Sequence, residues 1–325
     1  MSIVVAGHLC VDVIPVLGET SPGLSPGMLY SVGPLVQRVG GSVANTGGTL
    51  HRLGDEVHAY ATIGDDELGA VCRAQLDDRL GPHAHLTTST LGTSYSIVVE
   101  HPRHDRTFWQ YEGANADFDP RSLVLPDDAE LLHVGYPSLL PGLCLDDDAL
   151  ADAFRAAHAR GVATSLDLAH VADGSVAARV DWDDWFARTV PHVDVWSPSW
   201  DDISSALRVD EPPTPEALAA VAERMLAWGA AIVCLSAGTL GFHLRVADTE
   251  RLRAAGRPVA TLADSWAGAE LWFPAERIEA PSTTVGAGDA LTGGLLHAIV
   301  AGLPPEDAGA FARSVVGQHL TGGAE

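Results

Sequence analysis

The stretch Thr283-Thr284-Val285-Gly286-Ala287-Gly288-Asp289-Ala290-Leu291-Thr292-Gly293-Gly294 is typical of a loop that turns into a helix. Gly286 and Gly288 allow a tight turn and a close approach of the backbone to a ligand. From Ala287 onward, apolar residues recur every three to four positions, which predicts one apolar helix face. The predicted helix therefore begins with small residues and carries one carboxylate, Asp289, in its first turn.

The start of such a helix is suited to an anion. Its first N–H groups lack intrahelical partners and lie at the positive end of the helix dipole. Small side chains at Gly286, Ala287 and Gly288 leave those groups accessible. Asp289, ionised beside the anion, can accept a proton. This pairing favours phosphoryl transfer to a hydroxyl, whereas an ordinary turn with a first-turn acid stays open for the stretch alone.

The composition excludes several classes of protein. The 325 residues fit one large domain, or one domain with a small appendage. Asp and Glu number 43 against 19 basic residues, all of them Arg, which gives a formal charge of -24. Such a surface repels nucleic acid and anionic membranes, so neither is expected as a partner. Without Lys the chain also has no Walker A loop.

The cysteines and the apolar runs indicate a cytoplasmic protein. Cys10, Cys72, Cys144 and Cys234 show no paired spacing, so we expect four small buried residues rather than disulfides or metal ligands. The first apolar run is too short for a signal peptide, and no run is long enough to span a membrane. The fourteen histidines show no metal-binding spacing, and His83 and His85 are predicted to lie in surface loops.

Strand and helix patterns alternate along most of the chain. This alternation predicts an α/β fold with a mostly parallel sheet and helices on both faces. The predicted strands cover 3–6, 57–63, 131–134, 162–166, 193–196 and 231–235. The predicted helices begin near residue 42 and near residue 67 and cover 146–160, 200–207, 215–228, the segment after 286, and about 305–320.

A second group of strands is predicted outside this sheet. Residues 29–39 alternate as a half-buried strand does, and 94–99 with 106–111 resemble a hairpin with its turn at 101–105. Together they could form a small antiparallel sheet that serves as a lid over a substrate cleft.

Polar residues beside these elements are candidates for substrate binding. Asp12 follows the first strand, where ligands gather in open α/β sheets, although a role as a loop cap is equally open. Gly40 and Gly41 precede a helix and permit a close backbone approach. Asn45, in that helix, can bind a hydroxyl with both ends of its amide.

Five short motifs occur in a characteristic order: Gly7-x-x-x-x-Asp12, Gly40-Gly41-x-x-Ala44-Asn45, Gly64-Asp65-Asp66-x-x-Gly69, Gly113-Ala114-Asn115 and Thr284-Val285-Gly286-Ala287-Gly288-Asp289. From about residue 3 to about residue 315 the chain resembles the ribokinase-like (PfkB) family of carbohydrate kinases. The resemblance implies a three-layer α/β/α core over 1–325, with a β-sheet lid formed by about 13–39 and 93–113. It also implies transfer of the γ-phosphoryl group of ATP to a sugar hydroxyl, with Mg²⁺.

The resemblance also assigns roles by position. Asp289 resembles the catalytic base, and Gly286, Ala287 and Gly288 resemble the anion hole. The positions that resemble the sugar site are Asp12, Gly40, Gly41 and Asn45. The positions that resemble the nucleotide site are Ser199, Asp202, Ser236, Gly238 and Gly241.

Four positions depart from the family pattern. Ser199 and Asp202 stand where the family often has Asn and Glu, so Asp202 keeps a carboxylate that could act on Mg²⁺ through water. Thr283 replaces an Asp that helps bind a monovalent cation in some members, which makes potassium activation doubtful. Cys10 replaces an Asn on the sugar side.

Two alternatives remain beside a sugar kinase. In a nucleoside kinase of the same fold, Phe108, Trp109 and Tyr111 could stack on a base. In a catalytically weakened sugar-binding or regulatory protein, Ser199 and Thr283 would account for the weakening. The open edges of the lid sheet also make a homodimer through the lids plausible.

Overall fold

The computed structural model describes residues 2–17, 26–99, 107–146, 148–279 and 281–322. Thirteen strands and twelve α-helices form within these residues. The strands are β1 (Ser2–Gly7), β2 (Cys10–Pro15), β3 (Leu35–Gly40), β4 (Glu56–Gly64), β5 (Ala84–Ser89), β6 (Tyr95–Val99), β7 (Thr107–Tyr111), β8 (Ala129–Gly135), β9 (Ala163–Asp167), β10 (Val195–Trp196), β11 (Ile232–Ser236), β12 (Gly241–Val246) and β13 (Glu270–Pro274). The helices are α1 (Ser42–Arg52), α2 (Glu67–Leu80), α3 (Pro141–Leu145), α4 (Ala149–Ala159), α5 (Trp182–Thr189), α6 (Trp200–Leu207), α7 (Pro215–Ala227), α8 (Thr249–Arg253), α9 (Arg257–Ala260), α10 (Ala263–Trp266), α11 (Ala287–Val300) and α12 (Pro305–Leu320).

Nine strands form one large sheet in the order β13-β12-β11-β10-β9-β8-β1-β4-β5. Neighbours from β11 to β5 run parallel, and only β12 and β13 join antiparallel. The central strands are buried on both faces, as the apolar run of β1 illustrates. The prediction of a mostly parallel sheet is therefore confirmed.

Helices cover both faces of this sheet and enclose two separate cores. One core contains Val43 and Leu50 of α1 with Leu295 of α11. The other contains Phe154 of α4 and Trp185 of α5. This arrangement confirms the three-layer α/β/α prediction, and each core buries apolar surface that stabilises the fold by roughly 25 cal/mol per Å².

A separate four-stranded sheet has the order β3-β2-β6-β7. The prediction of an antiparallel sheet is wrong for its central pair, because β2 and β6 run parallel. The predicted hairpin is present as the antiparallel pair β6 and β7, and its predicted turn lies outside the described residues. The predicted strand over 29–39 is wrong at its start, because β3 begins only at Leu35. Residues 29–34, before β3, are exposed, and they include Pro34, which has no N–H group to donate.

Other boundaries and elements differ from the predictions. The helix predicted over 146–160 begins at Ala149, after the acidic residues that precede it. Strands β2, β5, β12 and β13 were not predicted. β5 and β13 are the edge strands of the large sheet, and β12 lies between β11 and β13; polar side chains such as His85 in β5 and Arg245 in β12 mask the strand pattern. Asp12 lies within β2 and is therefore not a loop cap. The prediction that His83 and His85 lie in loops is wrong for His85, which belongs to β5.

All four cysteines are free and buried, as predicted. They lie in different parts of the fold: Cys10 in β2, Cys72 in α2, Cys144 in α3 and Cys234 in β11. Burial raises the pKa of the Cys72 thiol to about 12, and burial raises the Cys10 and Cys234 pKa values as well. Within the described ranges, no helix is both long and apolar enough to cross a bilayer.

Candidate active site

Asp289 lies in the first turn of α11, and its carboxylate is held by the neighbouring helix α1. Gly286 caps α11 in a left-handed conformation (φ 79°), which is readily available to glycine. The Asp289 side chain is buried, at 3% exposure. Asn45 Nδ2 donates to its Oδ2 at 3.1 Å, and Thr46 Oγ1 donates to its Oδ1 at 2.7 Å. These two hydrogen bonds fix the orientation of the carboxylate.

Burial raises the pKa of Asp289, and hydrogen bonds from Thr46, Tyr136 and Asn45 oppose that rise. Tyr136 follows β8 in a left-handed conformation (φ 66°), which is uncommon for a non-glycine residue. Burial, and then the charge of Asp289, raise the pKa of the Tyr136 phenol well above its ordinary value. The phenol therefore stays protonated and able to donate a hydrogen bond to Asp289.

Two further carboxylates share this charge environment. Asp167 ends β9, and burial raises its pKa well above the ordinary value, with Asp289 and Asp202 adding to the effect. Burial also raises the pKa of Asp202 to about 6, while hydrogen bonds from Ser199 lower it in part. Three acids that disfavour one another's ionisation are typical of a site that receives a proton or a cation.

The first turn of α11 is open toward one side. A Cβ built on Gly288 meets no atom within 4 Å, and one built on Gly286 meets Asn45 and His319 only at 3.5 Å. His319 of α12 contacts the preceding loop through its Nε2 atom, 2.7 Å from the Val285 carbonyl oxygen. The space beside Gly288 is therefore accessible to a small anion.

A cavity of about 180 Å³ lies beside this turn, and Asp12, Asn45 and Gly286 all line it. The structure thus brings three of the predicted site residues to one opening.

Gly40 and Gly41 were expected to allow a close approach of the backbone to a ligand, and the structure shows a different use of their small size. A Cβ on Gly40 would lie 2.2 Å from Asp12 Oδ2, and one on Gly41 would lie 2.6 Å from His8 Nδ1. Their missing side chains therefore make room for protein atoms, with Gly40 admitting the Asp12 carboxylate.

The predicted nucleotide residues lie together on two adjacent strand ends. Ser199 caps α6 and forms a capping box with Asp202. The Ser236 amide donates to the Pro198 carbonyl at 3.1 Å, and Ser199 and Ser236 form a parallel bridge. Gly238 and Gly241 shape the turn into β12, with φ values of 53° and 110°. No hydrogen bond among the described residues joins this group directly to Asp289.

The β10–α6 connection does contact α11. Thr292 Oγ1 donates to Ser197 Oγ at 3.0 Å, and both side chains are buried. Because Thr292 lies three residues after Asp289, this bond places the carboxylate beside the connection that leads to Ser199. The two groups of predicted residues therefore lie on either side of the start of α11.

Three residues of the site were not predicted. Thr46 adjoins Asn45, and helical periodicity gave no reason to select it. Tyr136 carries no local signal, because its left-handed backbone is invisible in the sequence. Asp167 directly follows the strand predicted over 162–166, and this position at the carboxyl end of a parallel strand was a usable signal.

A second cluster of ligating side chains lies elsewhere. Glu56, His58 and His83 bring one potential metal-binding atom each within 4.8 Å of one another, on the side of the sheet formed by β4 and β5. His58 also stacks on His85, with ring centroids 5.6 Å apart. Sequence spacing alone did not predict this grouping, because strand pairing brings the residues together.

Comparisons with known proteins agree with the geometry. The family model described as pfkB family carbohydrate kinase matches residues 1–320. A search of curated protein sequences finds no significant match.

Solved structures share the fold at low identity. Ribokinase from Thermotoga maritima is 18% identical, with a TM-score of 0.71 over 98% of this chain and 93% of that one. Ribokinase from Giardia lamblia is 15% identical, with a TM-score of 0.74 over 98% and 92%. Arabidopsis thaliana ribokinase, solved with ribose and ATP, is 18% identical, with a TM-score of 0.70 over 98% and 92%.

Proposed function

The chain belongs to the pfkB family of carbohydrate kinases, and on that premise we propose that it transfers the γ-phosphoryl group of ATP to a sugar hydroxyl. One observation carries the proposal: a buried, oriented carboxylate, Asp289, lies in the open first turn of α11. A base and an anion site in one helical turn are what phosphoryl transfer to a hydroxyl requires.

Asp289 acts as the general base in this proposal. Burial raises the pKa of Asp289 toward the operating pH. The carboxylate is therefore a stronger proton acceptor than that of an exposed Asp. The hydrogen bonds from Asn45 and Thr46 hold the carboxylate in place while the sugar hydroxyl loses its proton. Such positioned proton transfer contributes a factor of roughly 10² to 10⁴ to the rate.

Gly286, Ala287 and Gly288 form the anion hole. Their N–H groups lie at the positive end of α11, where they stabilise charge that develops on the transferring phosphoryl group. The open space beside Gly288 admits that group.

ATP binds, in this proposal, on the side of Ser199, Ser236, Gly238 and Gly241. Mg²⁺ prefers oxygen ligands and usually keeps several waters, and the buried carboxylate of Asp202 suits such a cation. Asp202 would hold it through water, and the bound cation would neutralise phosphate charge. Thr283 supplies only a hydroxyl, which accepts a hydrogen bond from the Val285 amide at 3.1 Å, so no monovalent cation belongs to the proposal.

The sugar occupies the cavity that Asp12 and Asn45 line, while Gly40 and Gly41 make room for the Asp12 and His8 side chains. The small sheet, from about 13–39 and 93–113, closes the site as the lid of one kinase domain over 1–325 and excludes water. Pairing of two such sheets would give a homodimer, and sedimentation at several concentrations tests this. A cytoplasmic location accords with four free buried cysteines.

A nucleoside acceptor is the second candidate, and one observation favours it. Phe108, Trp109 and Tyr111 of β7 are each 43–44% exposed, so the small sheet presents aromatic surface. Competition binding of adenosine against ribose or fructose separates the two acceptors.

A sugar-binding protein without turnover is the third candidate, since Ser199 uses its hydroxyl for the capping box with Asp202.

The test is ADP release with Mg-ATP across sugars, sugar phosphates and nucleosides, with Asp289→Asn alongside. The matched control is Asp307→Asn, which alters an exposed first-turn acid of the neighbouring helix α12. We expect Asp289→Asn to fold normally and to lose turnover by a factor of roughly 10² to 10⁴, while Asp307→Asn stays active. Equal turnover of Asp289→Asn and wild type would rule out the proposed base.

A further inference from the structure

Three arginines from three different elements line the same cavity as Asp12 and Asn45. Arg38 belongs to β3, Arg52 to the last turn of α1, and Arg79 to the last turn of α2. We refer to these three residues as the arginine trio. Their convergence results from the tertiary fold, because they are far apart in the sequence.

The members of the trio are close enough to repel one another. Burial, and then the charge of Arg38, lower the pKa of Arg79, with Asp78 offsetting part of the effect. Burial, and then the charge of Arg79, lower the pKa of Arg52. Positive charges brought together at one cavity raise the free energy of the unliganded protein, and a bound anion would relieve that repulsion.

The trio also lacks acidic partners. Within the part of the chain that the structure describes, no carboxylate oxygen lies within 4.0 Å of its guanidinium nitrogens. Some arginines elsewhere have such partners, as in the pairs of Arg188 with Asp184 and of Arg245 with Glu270, both at 2.7 Å. In a chain of formal charge -24, the distinctive feature is that three arginines converge on one cavity.

Helix α1 connects the trio to the candidate catalytic carboxylate. Asn45, Thr49 and Arg52 follow one another at helical spacing on one face, and all three line the cavity. Asn45 binds Asp289 at one end, and Arg52 donates to Thr49 Oγ1 at 3.1 Å near the other. Seven residues of helix separate the two ends by about 10 Å, which a hexose with a terminal acidic group can span.

We propose that the acceptor is an acidic sugar whose phosphate or carboxylate group binds the arginine trio while a hydroxyl at its other end faces Asp289. This inference rests on the proposed kinase function and specifies its substrate class. Guanidinium groups suit both anions, since their N–H donors bind two oxygens at once. Asp12, which fills the space in front of Gly40, lines the same cavity as the trio.

The test compares neutral hexoses with their 6-phosphates and with the corresponding sugar acids, by ADP release and by calorimetric binding. The variants are Arg52→Gln and Arg79→Gln. The control is Arg73→Gln, which alters an exposed arginine of α2 that does not line the cavity. Thermal melts establish that each variant is folded.

We expect acidic sugars to bind more tightly than neutral ones, and each trio variant to weaken that binding about 10- to 100-fold. Arg73→Gln should leave the affinity unchanged. The phosphate and sugar-acid arms identify which anion is preferred.

Equal use of neutral and acidic sugars, or an affinity for acidic sugars that the trio variants do not alter, would overturn the inference. Turnover of neutral sugars alone would overturn it and leave the kinase function intact. Trio-dependent binding without ADP release would support the anion site and refute the kinase function. Absence of both binding and turnover would refute both proposals.

Discussion

The free energy of unfolding of the Asp202→Asn variant should fall less with rising pH than that of wild type. Burial raises the Asp202 pKa from 3.8 to about 6, so the folded state holds this proton more tightly than the unfolded state. Ionisation between these two values therefore destabilises the fold, and stability falls as pH rises through the window. A shift of about two pKa units corresponds to at most about 3 kcal/mol, since part of the side chain still reaches solvent. Asparagine keeps the shape and an acceptor for the Ser199 cap without any charge.

The assay is urea unfolding of wild type and Asp202→Asn at pH 4.0 and pH 7.5. We expect the variant to gain about 2.5 kcal/mol relative to wild type between the two pH values. The comparison between proteins cancels other titrating groups, including buried histidines. Asp201→Asn, which alters the exposed neighbour, serves as the control. If Asp202→Asn and wild type show the same pH dependence, Asp202 is not the buried acid described above.

Two other predictions follow from individual side chains. The pKa of His133 is lowered to about 3 by burial, so its proton binds the unfolded state more tightly and stability is lost as pH falls below 6.5. His133→Gln should reduce this loss of stability, which amounts to about 1.4 kcal/mol per pH unit. Acid unfolding curves of the variant and of wild type measure the effect, and equal midpoints for the two proteins would contradict the assignment. Gly288→Ala places a methyl group in open space at the start of α11. It should raise stability by up to about 1 kcal/mol yet lower turnover roughly 10²-fold, and unchanged kinetics would argue against an anion beside Gly288.

Much of the fold follows from local sequence patterns. The buried central strands β1, β4, β8, β9 and β11 are short apolar runs, and their alternation with helices predicts a parallel sheet. The edge strands β5 and β13 were not predicted because they alternate with exposed residues, and β12 was not predicted because polar residues such as His243 and Arg245 interrupt its apolar pattern. The start of β3 was misplaced because the apolar alternation in the sequence begins before Leu35, although residues 29–34 are exposed in the structure.

The candidate site could be predicted only in part. Asp289 and its glycines are adjacent in the sequence, so a local motif indicates them. Their partners are contributed by distant elements: Tyr136 follows β8, and Asp167 ends β9. Only strand order brings these side chains together, and no spacing along the chain encodes that. Arg52 and Arg79 of the arginine trio were missed for the same reason, since each looks like an ordinary helix-terminal cation.

Because its four cysteines are buried, local opening of the wild-type chain can be followed by their chemical modification. Thiolates react with alkylating reagents and neutral thiols hardly do, so each cysteine stays silent until its surroundings open. Cys10 belongs to the small sheet, whereas Cys234 lies in the large one. Mass spectrometry of alkylated peptides would therefore time the opening of the two sheets separately, without any introduced label. Sugar bound between them should slow the modification of Cys10 more than that of Cys234.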